Sequence, residues 1–264
     1  MKHHLDYLHH LAVESARFGE VFRDLPSDAR VPACPDWNAD DLLWHLAEVQ
    51  WFWGTVVREK LTGSQVRENM PPRPEDRAGL LDFYRSASGE LGRVLAAAAP
   101  ETPAWTWSRE QSVGFIQRKQ AHEALIHRVD AEEAAGRRTG LDPVLSADGV
   151  DEALRVMYGG LPDWGTFTPD ADRLIRLQAA DTGDSWLIAL GRFTGTDSGG
   201  TSYNEPDFHV EDDDPGRPTI ALISASAADL DCWLWHRSPL GPVELTGDEA
   251  ALGEFQAIIA PGLG

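Results

Sequence analysis

The chain is poor in basic residues and cysteine, and it has no long apolar run. Its 264 residues carry 23 Lys and Arg against 43 Asp and Glu, a formal net charge of −20. Phosphate backbones are held by basic clusters that repay counterion release, so this balance argues against nucleic acid as a partner. Anionic membrane surfaces are disfavoured for the same reason. No apolar stretch reaches the ~20 residues that a membrane span requires. The two cysteines, Cys34 and Cys232, are far apart in a chain without a recognisable leader, which reads as free thiols in a reducing cytosol. The expectation is a soluble cytoplasmic protein, long enough for two domains that each bury a core.

Four amphipathic segments fill the first half. The opening MKHHLDYLHH sets Leu5, Leu8 and Leu11 at helical spacing, so it reads as the start of a helix running towards Leu25. His3, His4, His9 and His10 are then solvated surface rather than a tag. Asn38 can cap a second helix ending near Lys60, with Asp41 in its first turn. Pro71, Pro72 and Pro74 break the chain before a third helix over roughly 75–98. A fourth covers about 113–135 and stops at Gly136. Long connections between four such helices suggest a bundle.

The period then changes. After a helix near 147–161, the segments 173–180, 185–191, 207–210 and 219–224 are short, apolar and bounded by Gly, Asp or Pro, and read as strands. The stretch 225–239 looks helical, 243–247 strand-like and 249–259 helical. The fold class expected is α+β in two domains: a helical bundle over 1–160 and a smaller α+β domain over 161–264.

Chemistry concentrates on two of the helices. Glu123 and His127 are spaced i, i+4, which puts them on one helix face. Ile116, Gln120 and Ala124 share their stripe, so the carboxylate and imidazole point inward, where they need a partner or a metal. His45 lies in the apolar stripe of Leu42, Val49, Phe52 and Val56 on the second helix. If the two helices lie side by side, these three residues make a site of two nitrogens and one carboxylate with room for water or substrate, the pattern of catalytic zinc. Ligand type alone also admits nickel, iron or other divalent ions. A solvated i, i+4 pair and a satisfied core histidine are the bland readings. A zinc-protease motif is excluded, since HEALIH places His122 and His127 five apart where H-E-x-x-H needs four.

The turn and helix VPACPDWNADDLLWHLAEV, the segment QAHEALIHRVDAEEAAG, and the late DLDCWLWHRSP followed by VELTGDEAAL together resemble the mycothiol-dependent maleylpyruvate isomerase family, in order and over nearly the whole chain. That resemblance implies a DinB-like four-helix bundle joined to a small domain similar to sterol carrier proteins. It also implies a divalent metal, usually zinc, held by His45, Glu123 and His127, with mycothiol, the small thiol of actinobacteria, as cofactor. A metal-bound thiol is delivered as thiolate at neutral pH. Addition to a small electrophile then gives cis-trans isomerisation or a stable conjugate, and the residues do not choose between them.

The same resemblance brings Arg237 to the cofactor site, against a reading as an exposed helix-end charge. Asp130 either orients His127 or meets the thiol, against a reading as an exposed carboxylate. Arg128 is expected at the surface, Trp37 packed under the turn, and Trp51 and Trp53 in a pocket wall or core. Cys34 reads as a buried structural thiol, and Glu211 to Asp214 as a solvated loop. Two further function classes stay open: a small-molecule-binding protein on the same scaffold, and a thiol-independent metal hydrolase. The chain is expected as a monomer or homodimer.

Overall fold

The computed structural model describes residues 5–212 and 214–263; the expectation for His3 and His4 lies outside them, as does part of the Glu211 to Asp214 loop. The chain forms two compact units, Met1–Gly140 and Leu141–Gly264. The helical N-terminal part and the sheet-bearing C-terminal part make the expected two-domain α+β architecture.

In the first unit, α1 (Tyr7–Val21), α2 (Ala39–Glu59), α4 (Arg77–Ala96) and α5 (Val113–Ala134) build the bundle, with the single-turn helix α3 (Gly63–Arg67) between α2 and α4. Packing pairs α1 with α5 and α2 with α4, and α2 also lies against α5. Each long helix starts where a short polar side chain meets the first free amides. On α2, Asn38 accepts from the Asp41 amide at 3.0 Å while Asp41 accepts from the Asn38 amide at 3.0 Å, a reciprocal cap. Ser112 caps α5 through the Phe115 amide at 3.1 Å, and Gly136, at φ +66°, takes the left-handed turn that stops it.

The bundle core joins Phe18, Val21 and Phe22 of α1 to Leu42, Leu43 and Leu46 of α2, with Leu80 and Tyr84 of α4. A two-stranded hairpin, β1 (Arg30–Val31) and β2 (Cys34–Asn38), leads into α2 and was not expected from the sequence. It carries Cys34, which is half-buried rather than buried.

Arg128 of α5 is not at the surface. Its guanidinium is fully buried, with Nε donating to Glu14 at 2.7 Å and Nη1 donating to Glu132 at 3.1 Å and to Thr139 at 2.7 Å. Two carboxylates pair with the cation, and one of them arrives from α1, which local spacing does not reveal.

The second unit opens with α6 (Pro143–Glu152), capped by Asp142 and started by proline at its first turn, and continues as a π-helical turn over Ala153–Tyr158. This segment packs on α7 (Ala227–Leu234) and lies in the compact unit that begins at Leu141. The sheet comprises β3 (Gly165–Ala179), β4 (Ser185–Thr196), β5 (Ser202–Glu211), β6 (Ala221–Ala225) and β7 (Glu244–Gly247), in the order β5-β4-β3-β6-β7. Among the described residues only the β3–β6 pair is parallel. Alternate residues Ile175, Leu177 and Ala179 of β3, Ile188 and Leu190 of β4 and Ile223 of β6 share a core with Leu154, Leu230, Leu234 and Phe255 of the π-helical turn, α7 and α8 (Glu249–Ile259). Among the described residues no helix is long and apolar enough to cross a membrane.

Candidate metal centre

Helix α5 is buried on nearly every side, from Val113 and Ile116 through Gln120, Ala124 and His127 to Ala131. Its polar side chains therefore meet other groups inside the unit rather than water. His45, on α2, reaches the same place: the ligand-type atoms of His45, Glu123 and His127 all lie within 4.8 Å of one another. The two imidazole rings stand 4.7 Å apart at their centroids, at 76°.

The orientation of each ring matters. His127 sets Nδ1 2.9 Å from Asp130 Oδ2 and Nε2 3.2 Å from Glu123 Oε1. His45 sets Nδ1 3.9 Å from Glu48 Oε1 and Nε2 3.4 Å from Glu123 Oε1. Both rings thus turn Nδ1 to a carboxylate of their own helix and Nε2 to a shared point beside Glu123. For His127 the Asp130 carboxylate on the outer nitrogen favours the tautomer in which the inner nitrogen ligates, whereas the 3.9 Å from His45 to Glu48 is too long for a hydrogen bond. Asp130 is fully buried, which excludes its reading as an exposed helix carboxylate and makes it the partner of the His127 ring.

Two residues at this centre were not singled out from the sequence in these roles. Lys119, one turn before Glu123, is buried and sets Nζ 3.1 Å from Glu123 Oε2. The Trp37 indole lies over the rings, 4.8 Å from His45 and 6.4 Å from His127 between centroids; the sequence suggested only that it packs under the turn. His122 points elsewhere, its ring 6.4 Å from Tyr7 in an edge contact, as the five-residue offset from His127 requires. Trp53 is core and stacks on Trp105 at 6.0 Å.

Electrostatics at the centre follows from this packing. Burial raises the Glu123 pKa, but the Lys119 charge and the hydrogen bonds of His127 and His45 outweigh it and hold the carboxyl well below its usual range. Burial disfavours charge on His127, yet the Asp130 hydrogen bond and then Glu123 outweigh it and raise the imidazole to about 9. Two nitrogens and one carboxylate oxygen converge here from two helices, the donor types that three-ligand divalent sites use. The residues present fit such an ion.

Arg237 lies in the second unit, at the turn after α7. It is buried rather than exposed, and its Nη1 donates to the Trp235 carbonyl at 2.7 Å. A groove of about 690 Å³ between α1 and α4, lined by residues such as Leu8, Ala16, Tyr84 and Gly92, includes none of the three ligand-type residues.

Comparison with known proteins agrees with the resemblance read from the sequence. Residues 8–132 match the family described as the mycothiol maleylpyruvate isomerase N-terminal domain, and residues 144–254 match the MDMPI C-terminal domain. No curated protein matches the chain. Crystal structures of the mycothiol-dependent maleylpyruvate isomerase and of a histidine-to-alanine mutant of it are similar over 92% of this chain and 93% of theirs. Their TM-scores are 0.56 and 0.58 at 12% identity, a likeness of fold. With both family domains matched in order, the chain belongs to the mycothiol-dependent maleylpyruvate isomerase family.

Proposed function

We propose that this protein is a thiol-activating metalloenzyme that uses mycothiol to attack a small electrophile. The observation that carries the reading is the convergence of His45, Glu123 and His127 within 4.8 Å, in a chain whose family is named for mycothiol. Zinc suits two imidazoles and a carboxylate. A divalent cation held there lowers the pKa of a coordinated thiol, so that mycothiol is present at neutral pH as the nucleophilic thiolate.

The chain supplies the rest. His45 and His127 offer imidazole nitrogens, that of His127 once a cation displaces its proton, and Glu123 contributes the charge that favours a cation. Asp130 holds the His127 ring in the ligating tautomer, as a positioning residue. Trp37 covers the rings with an apolar face that limits access of water. Arg237 is assigned to the cofactor by the family resemblance, as a guanidinium able to bind a polar group of the thiol. The outcome is cis-trans isomerisation if the thiol leaves again and conjugation if it stays.

The test is metal per chain by elemental analysis of untagged protein, compared with His45→Ala and His127→Ala, followed by turnover of maleylpyruvate and related electrophiles with and without mycothiol. Near-stoichiometric divalent metal in the wild type, lost from both folded variants, with thiol-dependent turnover, is expected. A wild type that takes up no metal when it is supplied overturns the reading. Hydrolysis of an added electrophile without thiol would instead favour a metal-dependent hydrolase.

A further inference from the structure

Glu123 presents its two oxygens to different groups. Oε1 lies 3.4 Å from His45 Nε2 and 3.2 Å from His127 Nε2, whereas Oε2 lies 3.1 Å from Lys119 Nζ. The lysine is no ordinary surface partner at i, i+4. Its side chain is only 8% exposed and that of Glu123 14%, so both charges are largely removed from water and held by neighbouring groups. An exposed pair at this spacing is loose and nearly worthless in energy; a buried one constrains geometry.

Which oxygens a carboxylate offers decides how many positions remain. A ligating carboxylate binds through one oxygen or through both, and a centre that must accept an exogenous ligand is served by keeping its own ligands to three. We propose that Lys119 is a positioning residue that reserves Glu123 Oε2 for its ammonium, so that Oε1 alone is presented to the cation and a position stays open for the thiol. The inference rests on the metal-centre reading above. Lys119 does its work through Glu123, and the removal of its charge frees Oε2 to turn towards the imidazoles.

The probe is cobalt(II), whose visible absorbance is strong in four-coordinate sites and weak in sites of higher coordination. Wild type, Lys119→Arg and Lys119→Met are loaded with cobalt to equal stoichiometry, their folding checked by circular dichroism, and mycothiol is added to each. Wild type and Lys119→Arg, which can still hold Oε2, are expected to share one spectrum and one thiol-induced charge-transfer band. Lys119→Met is expected to bind cobalt with a several-fold loss of visible absorbance and to lose the thiol band. Overturning results are a folded Lys119→Met with the wild-type spectrum and thiol response, or one that no longer binds cobalt, since the lysine would then only hold the site together.

A crystal structure of the zinc-loaded wild type decides the point even if Lys119→Met fails to fold. One carboxylate oxygen on the ion and the other on Nζ is the expected result; both oxygens on the ion removes the proposal. A wild type that takes up neither metal sinks the metal-centre reading itself, which distinguishes that failure from a failure of this inference.

Discussion

His127 has a carboxylate at each nitrogen, Asp130 at Nδ1 and Glu123 at Nε2, and this governs its pH dependence. With its pKa raised from the ordinary 6.5 to about 9, the metal-free chain gains stability from the imidazolium below pH 6.5 and loses it as the pH climbs through 9. Glu123, held low, contributes in the opposite sense, above its unfolded value, and that share is lost on acidification. A cation must displace the His127 proton. Metal affinity should therefore rise about tenfold per pH unit up to pH ~9, with about one proton released per ion from this residue. Calorimetry in buffers of different ionisation heat measures that proton directly; release of none would show His127 already neutral.

Asp130→Asn keeps the shape but exchanges a charged partner for a neutral one, and metal affinity should fall by roughly 10- to 100-fold with folding retained. A competition titration against a metallochromic chelator reads the change. Arg128 presents a different balance. Its Ala variant leaves Glu14 and Glu132 buried without their cation, at a cost of about 3–5 kcal/mol in unfolding free energy. Urea denaturation checks it, and a loss under 1 kcal/mol would mean that water replaces the guanidinium.

Among these residues, His45, Glu123 and His127 were legible because helical spacing puts ligand types on inward faces. Lys119 was not, since a lysine four residues before a glutamate reads as a solvent-exposed pair until the neighbouring chain is seen to bury it. Arg128 was misplaced for a related reason: Glu14, which makes burial tolerable, lies 114 residues earlier.

At the scale of elements, start signals were strong where a short polar residue precedes an apolar stripe. Asn38 and Asp41 cap α2 in both directions, so Asn38→Ala should cost about 1 kcal/mol. It should also loosen the first turn below His45. Thermal melts of the metal-free and metal-loaded forms read both effects, and an unchanged pair of melting temperatures would show the cap to be redundant. Strand lengths were underestimated. The apolar run 173–180 marks only the end of β3, which begins at Gly165 and carries exposed Thr and Asp along its first half. Ladder pairing with β4 sustains Gly165–Pro169, and the register shifts between Pro169 and Leu174. Helix α6 began earlier than expected, although Asp142 and Pro143 are an ordinary start signal, because the apolar periodicity drew attention to its later residues.

For the whole molecule, all three ligand-type residues lie within the unit Met1–Gly140. That unit also has its own buried core of aromatic and leucine side chains. Residues 1–140 alone should therefore fold and bind the divalent ion. Metal content and circular dichroism of the fragment check this; an unfolded fragment would show that its own core does not suffice.

Composition and periodicity alone determined the two-domain α+β class, the order of most of its helices and strands, and three inward residues of ligand type. These depend on local chemistry: caps, spacing and apolar stripes act within a few residues. Tertiary structure decided where the units divide, that α5 is buried on nearly every side, that His45 meets Glu123 and His127 across two helices, and that Lys119 and Asp130 are their buried partners. Those outcomes depend on contacts between segments distant along the chain, and burial, which sets the cost of each charge and so its role, is a property of the packed molecule.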